Sequence, residues 1–178
     1  MRIVAGKLKG RNFESVHGHR THPMSEKIRG AIFNTLGDLS GLTVLDLYAG
    51  AGALGFEAIS RGANSALLID TDAKAYKTIN QNIATLGLSG VVRAIKVYAH
   101  AWSRRFPNEQ FDIVLMDPPY DAVIPKDLLS LTKHTRKGGL IVLSLPPESG
   151  FLLAPSRQEL LLHKNYGDAE LYFYRQLI

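Results

Sequence analysis

The chain has 178 residues, enough for one domain with a substantial core, and its 46% hydrophobic content is that of an ordinary globular protein. It contains no cysteine, which excludes disulfides, cysteine–zinc sites and thiol catalysis and agrees with a cytoplasmic location. The net charge is +5; residues 1–30 hold seven of the 21 basic residues but two of the 16 acidic ones, so the whole excess lies there.

From the N-terminus, MRIVAGKLKGR lacks the apolar stretch of a secretory signal, and no later apolar run approaches a membrane span. RIVAGKLKGRNFES reads as two short strands around a glycine-containing turn. This basic hairpin or arm, over residues 1–24, carries Arg2, Lys7, Lys9 and Arg11, with His17, His19 and His22 in the loop that follows. Basic residues gathered on one segment of an otherwise neutral chain point to a polyanion such as nucleic acid, although a solvated terminus has the same composition.

The second unit, 25–178, opens with Ser25 as a helix N-cap, then Ile28, Ala31, Ile32, Thr35 and Leu36 on one face and Gly37 at the end. An alternation follows. TVLDLY is a strand, then a glycine-rich loop leads into a helix through about Arg61, stopped by Gly62. SALLID is a strand, and Asp72 caps a helix with Tyr76, Ile79, Ile83 and Leu86 at helical spacing. VVRAIKVY, FDIVLM and GLIVLSL are further strands, with connecting segments around 101–106 and 125–137. QELLLHKNYGDAELYFYRQL is two strands about an Asn-Tyr-Gly-Asp turn. Such a series predicts an α/β fold, a parallel sheet with helices on both faces and an antiparallel edge.

Ligands in such folds sit beyond the carboxyl ends of the strands, where three stretches stand out. DLYAGAGALG places Gly50, Gly52 and Gly55 after a strand and before a helix, and Asp70 ends the next strand at the spacing of a ribose-binding acid. A nicotinamide dinucleotide is one candidate. Its pyrophosphate would meet repulsion from Asp46 at the strand end. That carboxylate suits a ligand with a cationic amine and a sulfonium, S-adenosylmethionine. FDIVLMDPPY raises the third question, why a buried strand ends in Asp117, Pro118, Pro119 and Tyr120. A turn accounts for the prolines alone.

DLYAGAGALGFEA together with DPPY resembles the class I S-adenosylmethionine-dependent methyltransferases. RIVAGKLKGR, THPMSEKIRGAIFN, GFEAISRGA and YGDAELYFYR extend the resemblance, over nearly the whole chain, to the bacterial small-subunit (16S) ribosomal RNA guanine 2-amino methyltransferases. The resemblance implies a Rossmann-like, seven-stranded sheet with a reversed last strand. It implies Asp46, Tyr48, Gly50, Gly52 and Gly55 around the methionine half of the cofactor and Asp70 on the ribose. Asp117, Pro118, Pro119 and Tyr120 would form the target-base site, and Arg29, in the P-x-S-x-x-x-R stretch, would join the hairpin residues on RNA. The chain departs from the family pattern at His100, where an aspartate normally accepts from the adenine amine, and at His22, where an arginine normally precedes the proline. The expected partner is ribosomal RNA within a small-subunit particle, with a monomeric enzyme, no membrane and no metal. An adenine amine methyltransferase on DNA or RNA uses the same base site, and an inactive cofactor- or RNA-binding module would keep the same fold. Trp102 is placed to line an adenine pocket or to pack in the core; Tyr172, Phe173 and Tyr174 alternate as core and edge residues of a terminal strand.

Overall fold

The computed structural model describes residues 1–16 and 24–178. Ser25 accepts a hydrogen bond from the Ile28 amide at 3.2 Å and starts α1 (Glu26–Leu36). The alternation then runs β1 (Thr43–Leu47), α2 (Ala53–Ser60), β2 (Ser65–Asp70), α3 (Ala73–Leu86), β3 (Val92–Lys96), α4 (Ala99–Arg105), β4 (Phe111–Met116), α5 (Pro125–Leu131), β5 (Thr135–Leu145), β6 (Gln158–Asn165) and β7 (Glu170–Gln176). Asp72 caps α3 by accepting from the Ala75 amide, and Gly87 ends it in the left-handed region.

The seven strands form one sheet in the order β3-β2-β1-β4-β5-β7-β6. β7 runs antiparallel to both its neighbours and every other pairing is parallel, as the resemblance implies. The order turns over between β1 and β4, and a crevice opens there at the carboxyl ends. Successive residues of β1 serve opposite faces: Val44 packs with Phe33, Phe56, Leu68 and Ile79 under α1–α3, and Leu45 with Trp102, Val114 and Leu131 under α4 and α5. Burial on both faces explains why these strands read as unbroken apolar runs.

The N-terminal segment forms a hairpin-like loop with a single β-bridge, Arg2 to Asn12, in place of two strands. Ile3 donates across it to the Arg11 carbonyl at 3.0 Å, Gly10 to Ile3 and Phe13 to Met1 at 2.9 Å each, and further amides reach α2. Val4 and Ala5 donate to the Glu57 carboxylate at 2.8 and 3.0 Å, Lys7 to the Ser60 carbonyl at 2.8 Å and Leu8 to the Ser60 hydroxyl at 2.9 Å. Gly6, at φ 83°, passes so close that a Cβ would lie 1.9 Å from the Ser60 oxygen. Ile3 and Phe13 are buried, and the Phe13 ring meets Phe56 edge-on at 5.6 Å, so the hairpin shares the core of the sheet domain.

Arg29 requires a correction. It is fully buried, donates to the Arg2 carbonyl and pairs with Glu57 at 3.5 Å. The guanidinium ties α1, α2 and the hairpin together and has no face for RNA. His22 falls in segment 17–23, outside the described residues.

Candidate active site

β1 places Asp46 and β4 leads to Asp117 on adjacent strands, the register pairing Asp46 with Leu115 and Leu47 with Met116. Asp46 is completely buried. Its Oδ2 accepts the Gly55 amide at 2.9 Å, and its Oδ1 has no hydrogen-bond partner although it is buried. Burial above all pushes its carboxyl up to about 8, the Gly55 amide acts against this, and the charges of Asp117 and Asp70 add to it. An acid in that state stands ready for a cationic group to occupy its free oxygen.

The loop after β1 is held by left-handed residues, Tyr48 at φ 65°, Gly50 at φ 56° and Gly52 at φ 87°. Asp70, at the end of β2, fixes it from the side: Oδ2 accepts the Gly50 amide at 2.7 Å and Oδ1 the Asp72 amide at 2.8 Å. Each carboxylate oxygen keeps a second acceptor direction, so Asp70 still has capacity for a diol. The Tyr48 phenol is pushed up to about 12 by burial and the Asp127 charge, and remains a donor at neutral pH.

The three glycines divide by role. Gly50 lines the cavity, with nothing within 4 Å of where a Cβ would be. At Gly52 a Cβ would meet the Phe56 ring at 2.6 Å, and at Gly55 the Leu68 side chain at 2.6 Å. Neither lines the cavity; their place is the close packing of α2 on β2, while the Gly55 amide serves Asp46 indirectly.

Asp46, Tyr48, Gly50 and Asp70 share one cavity of about 680 Å³ with Asp117, Pro118, Pro119 and Tyr120. The Asp117 carboxyl is pushed up to about 6, chiefly by burial, with a hydrogen bond from Ser144 acting against the shift. Tyr120, 38% exposed, begins a 3-10 turn and its hydroxyl lies 2.9 Å from Ser144 Oγ. Ser144 is a site residue that sequence reasoning missed; its only signal was a lone hydroxyl in the run LIVLSL.

Other expected residues lie elsewhere. His100 is exposed on α4, its ring 5.7 Å from Tyr98 and off the cavity wall, where Val97, Tyr98 and Ala99 stand instead. His100 is the second residue of α4. Trp102 is core, 4.6 Å from the His134 ring and buried on the α4 face. Among the hairpin basics, Arg2 pairs with Glu26 at 2.8 Å and Arg11 donates to the Thr85 and Leu86 carbonyls at the end of α3. Lys7 and Lys9 are exposed at the hairpin tip. Among the described residues there is no metal-ligating cluster, and no helix is long and apolar enough to cross a membrane.

This arrangement matches known proteins along almost its whole length. Bacillus subtilis (strain 168) YlbH is 34% identical over 173 residues, 94% of this chain and 89% of that protein. Ribosomal RNA small subunit methyltransferase D of Escherichia coli (strain K12) is 27% identical, covering 99% of this chain and 90% of its own. The solved structure of the Escherichia coli methyltransferase yhhF superposes with a TM-score of 0.88 at 28% identity, covering 99% and 98% of the two chains. The family model described as Conserved hypothetical protein 95 matches residues 1–175, and the chain belongs to that family, with the fold of the class I methyltransferases.

Proposed function

We propose that this chain is a cytoplasmic, monomeric enzyme that methylates the 2-amino group of a guanine in small-subunit ribosomal RNA within a ribosomal particle. The observation that carries the reading is the single cavity joining an acid with a free buried oxygen, Asp46, to the DPPY elbow. The names of the relatives supply the ribosomal RNA. When bound, S-adenosylmethionine supplies an electrophilic methyl group on a sulfonium.

Asp46 Oδ1 would hold the cofactor's amino group, Asp70 its ribose hydroxyls, and the Gly50 backbone would allow its close approach. On the base side, the Asp117 carboxylate and the Pro118 carbonyl accept from the two amine hydrogens. The neighbouring prolines fix that carbonyl's direction. Two acceptors hold the amine with its lone pair toward the methyl group, and alignment is the main requirement because no strong anion develops. The surplus amine proton would pass to the Asp117 carboxylate or to water beside it. Tyr120 stacks on the extruded base. Lys7 and Lys9 bind phosphate at a distance, since the hairpin tip sits at the far end of α2, about 12 Å from the glycine loop at 1.5 Å per residue.

The test is incubation with labelled cofactor and small subunits from cells lacking the protein, followed by mapping of the product. N2-methylguanine is expected. N6-methyladenine would transfer the reading to an adenine amine, which the same acceptors can hold.

A further inference from the structure

Ser144 lies near the carboxyl end of β5 and is 2% exposed. A hydroxyl is buried at little cost only when its hydrogen bonds are made. The β4–β5 register pairs Met116 with Leu143, so the next residues, Asp117 and Ser144, stand side by side on the same face of the sheet. Ser144 Oγ lies 2.9 Å from the Tyr120 hydroxyl, and the register sets it beside Asp117, whose ionised form it favours. An ionised carboxylate has no proton to give. The single serine proton therefore goes to Asp117, and the Tyr120 phenol donates to Ser144.

We propose that Ser144 is a positioning residue for the methyl-transfer site: its hydroxyl joins the ring of Tyr120 to the carboxylate of Asp117 and fixes their mutual orientation. This rests on the base-site roles proposed above for those two residues. A base stacked on the ring then presents its amine to an acceptor whose place is set by the same hydroxyl. The link has a second effect, on charge. Asp117 faces the Asp46 carboxyl from β1 and the Tyr120 phenol from the 3-10 turn, and Asp168 in the β6–β7 turn adds its charge near that phenol. None of these groups favours an ionised Asp117. The Ser144 hydroxyl does, and it works against burial.

The experiment follows the carboxyl carbon of Asp117 by NMR in the unliganded, full-length protein as pH is varied. In Ser144→Ala the midpoint is expected to rise by about one pH unit, the scale of one lost charge-assisted hydrogen bond. The ionised fraction at pH 7 then falls from about nine-tenths to about one-half. Ser144→Thr restores the midpoint. Tyr120→Phe leaves it in place, because that change cuts the other bond. Single-turnover methylation is expected to show its acid limb displaced by the same amount in Ser144→Ala, with a weaker apparent RNA affinity that Tyr120→Phe shares. Should the alanine variant fail to fold, the near-isosteric Ser144→Cys, a weaker donor, is expected to shift Asp117 in the same direction by less. Coincident Asp117 midpoints in wild type and in the alanine or cysteine variant overturn the proposal. The nucleoside made by the wild-type enzyme separately decides the guanine reading, so the two failures are distinguishable.

Discussion

Asp46 gives the sharpest prediction. With its carboxyl near 8, about nine-tenths of the unliganded protein carries a proton there at pH 7. A cationic amine placed on the free Oδ1 favours the charged form and returns the group to the ordinary carboxylate range. Cofactor binding at pH 7 is therefore expected to release about 0.9 of a proton, and affinity to rise about tenfold between pH 6 and pH 7 before levelling above pH 8. Calorimetric titration with S-adenosylhomocysteine in buffers of different ionisation enthalpy counts the protons. The Asp46→Asn variant subtracts the ligand's own titration, and its amide oxygen can still accept from Gly55. The folded value lies above the unfolded one, so between about pH 4 and pH 8 the unfolded chain holds fewer protons. Asp46 thus makes unliganded stability fall as pH rises through that window, by up to about 1.4 kcal/mol per pH unit, and the asparagine variant removes that slope. Equal proton release by wild type and variant would refute the placement of the amine on Asp46.

Four further outcomes are expected. Asp117→Ala should slow the single-turnover chemical step by about 10²–10³ with cofactor affinity retained, as measured by rapid quench at saturating RNA. Asp70→Ala should weaken S-adenosylhomocysteine binding at least about tenfold in calorimetry, because it removes the diol acceptor and frees the Gly50 amide together. Glu57→Ala should lower stability in urea unfolding by about 3–5 kcal/mol, since it strands a buried Arg29 and the amides of Val4 and Ala5. Replacing Lys7 and Lys9 with Gln should flatten the slope of log RNA affinity against log salt by about 1.4–1.8 in filter binding and leave cofactor affinity unchanged.

The sheet was legible because strands buried on both faces have no need to alternate, and because Ser25, Asp72 and Gly87 punctuate helices by local chemistry that a sequence displays directly. The acids were legible for a similar reason: Asp46, Asp70 and Asp117 each interrupt or end an apolar run where the backbone leaves the core. Roles that depend on what lies across space were hidden. Gly52 and Gly55 look like ligand glycines, and only the positions of Phe56 and Leu68 reveal them as packing glycines. Arg29 belongs to the charge excess in composition but to the core in space, because Glu57, 28 positions on, meets it there. His100 follows the cavity-lining Ala99 in the chain but stands off the wall itself, and Ser144 gave no periodic or spacing signal at all.

Helix α2 has the glycine loop at its head, and at its tail Ser60 grips the hairpin through the backbone at Gly6–Leu8. It is therefore a fixed-length strut between the cavity and the two lysines proposed to bind RNA. Inserting one residue into it would advance the hairpin by about 1.5 Å and swing it through about 100° around the helix axis. That movement would tear Val4 and Ala5 from Glu57 and draw Met1 off the cavity wall. The length of α2 thus couples the position of the hairpin to the shape of the cavity.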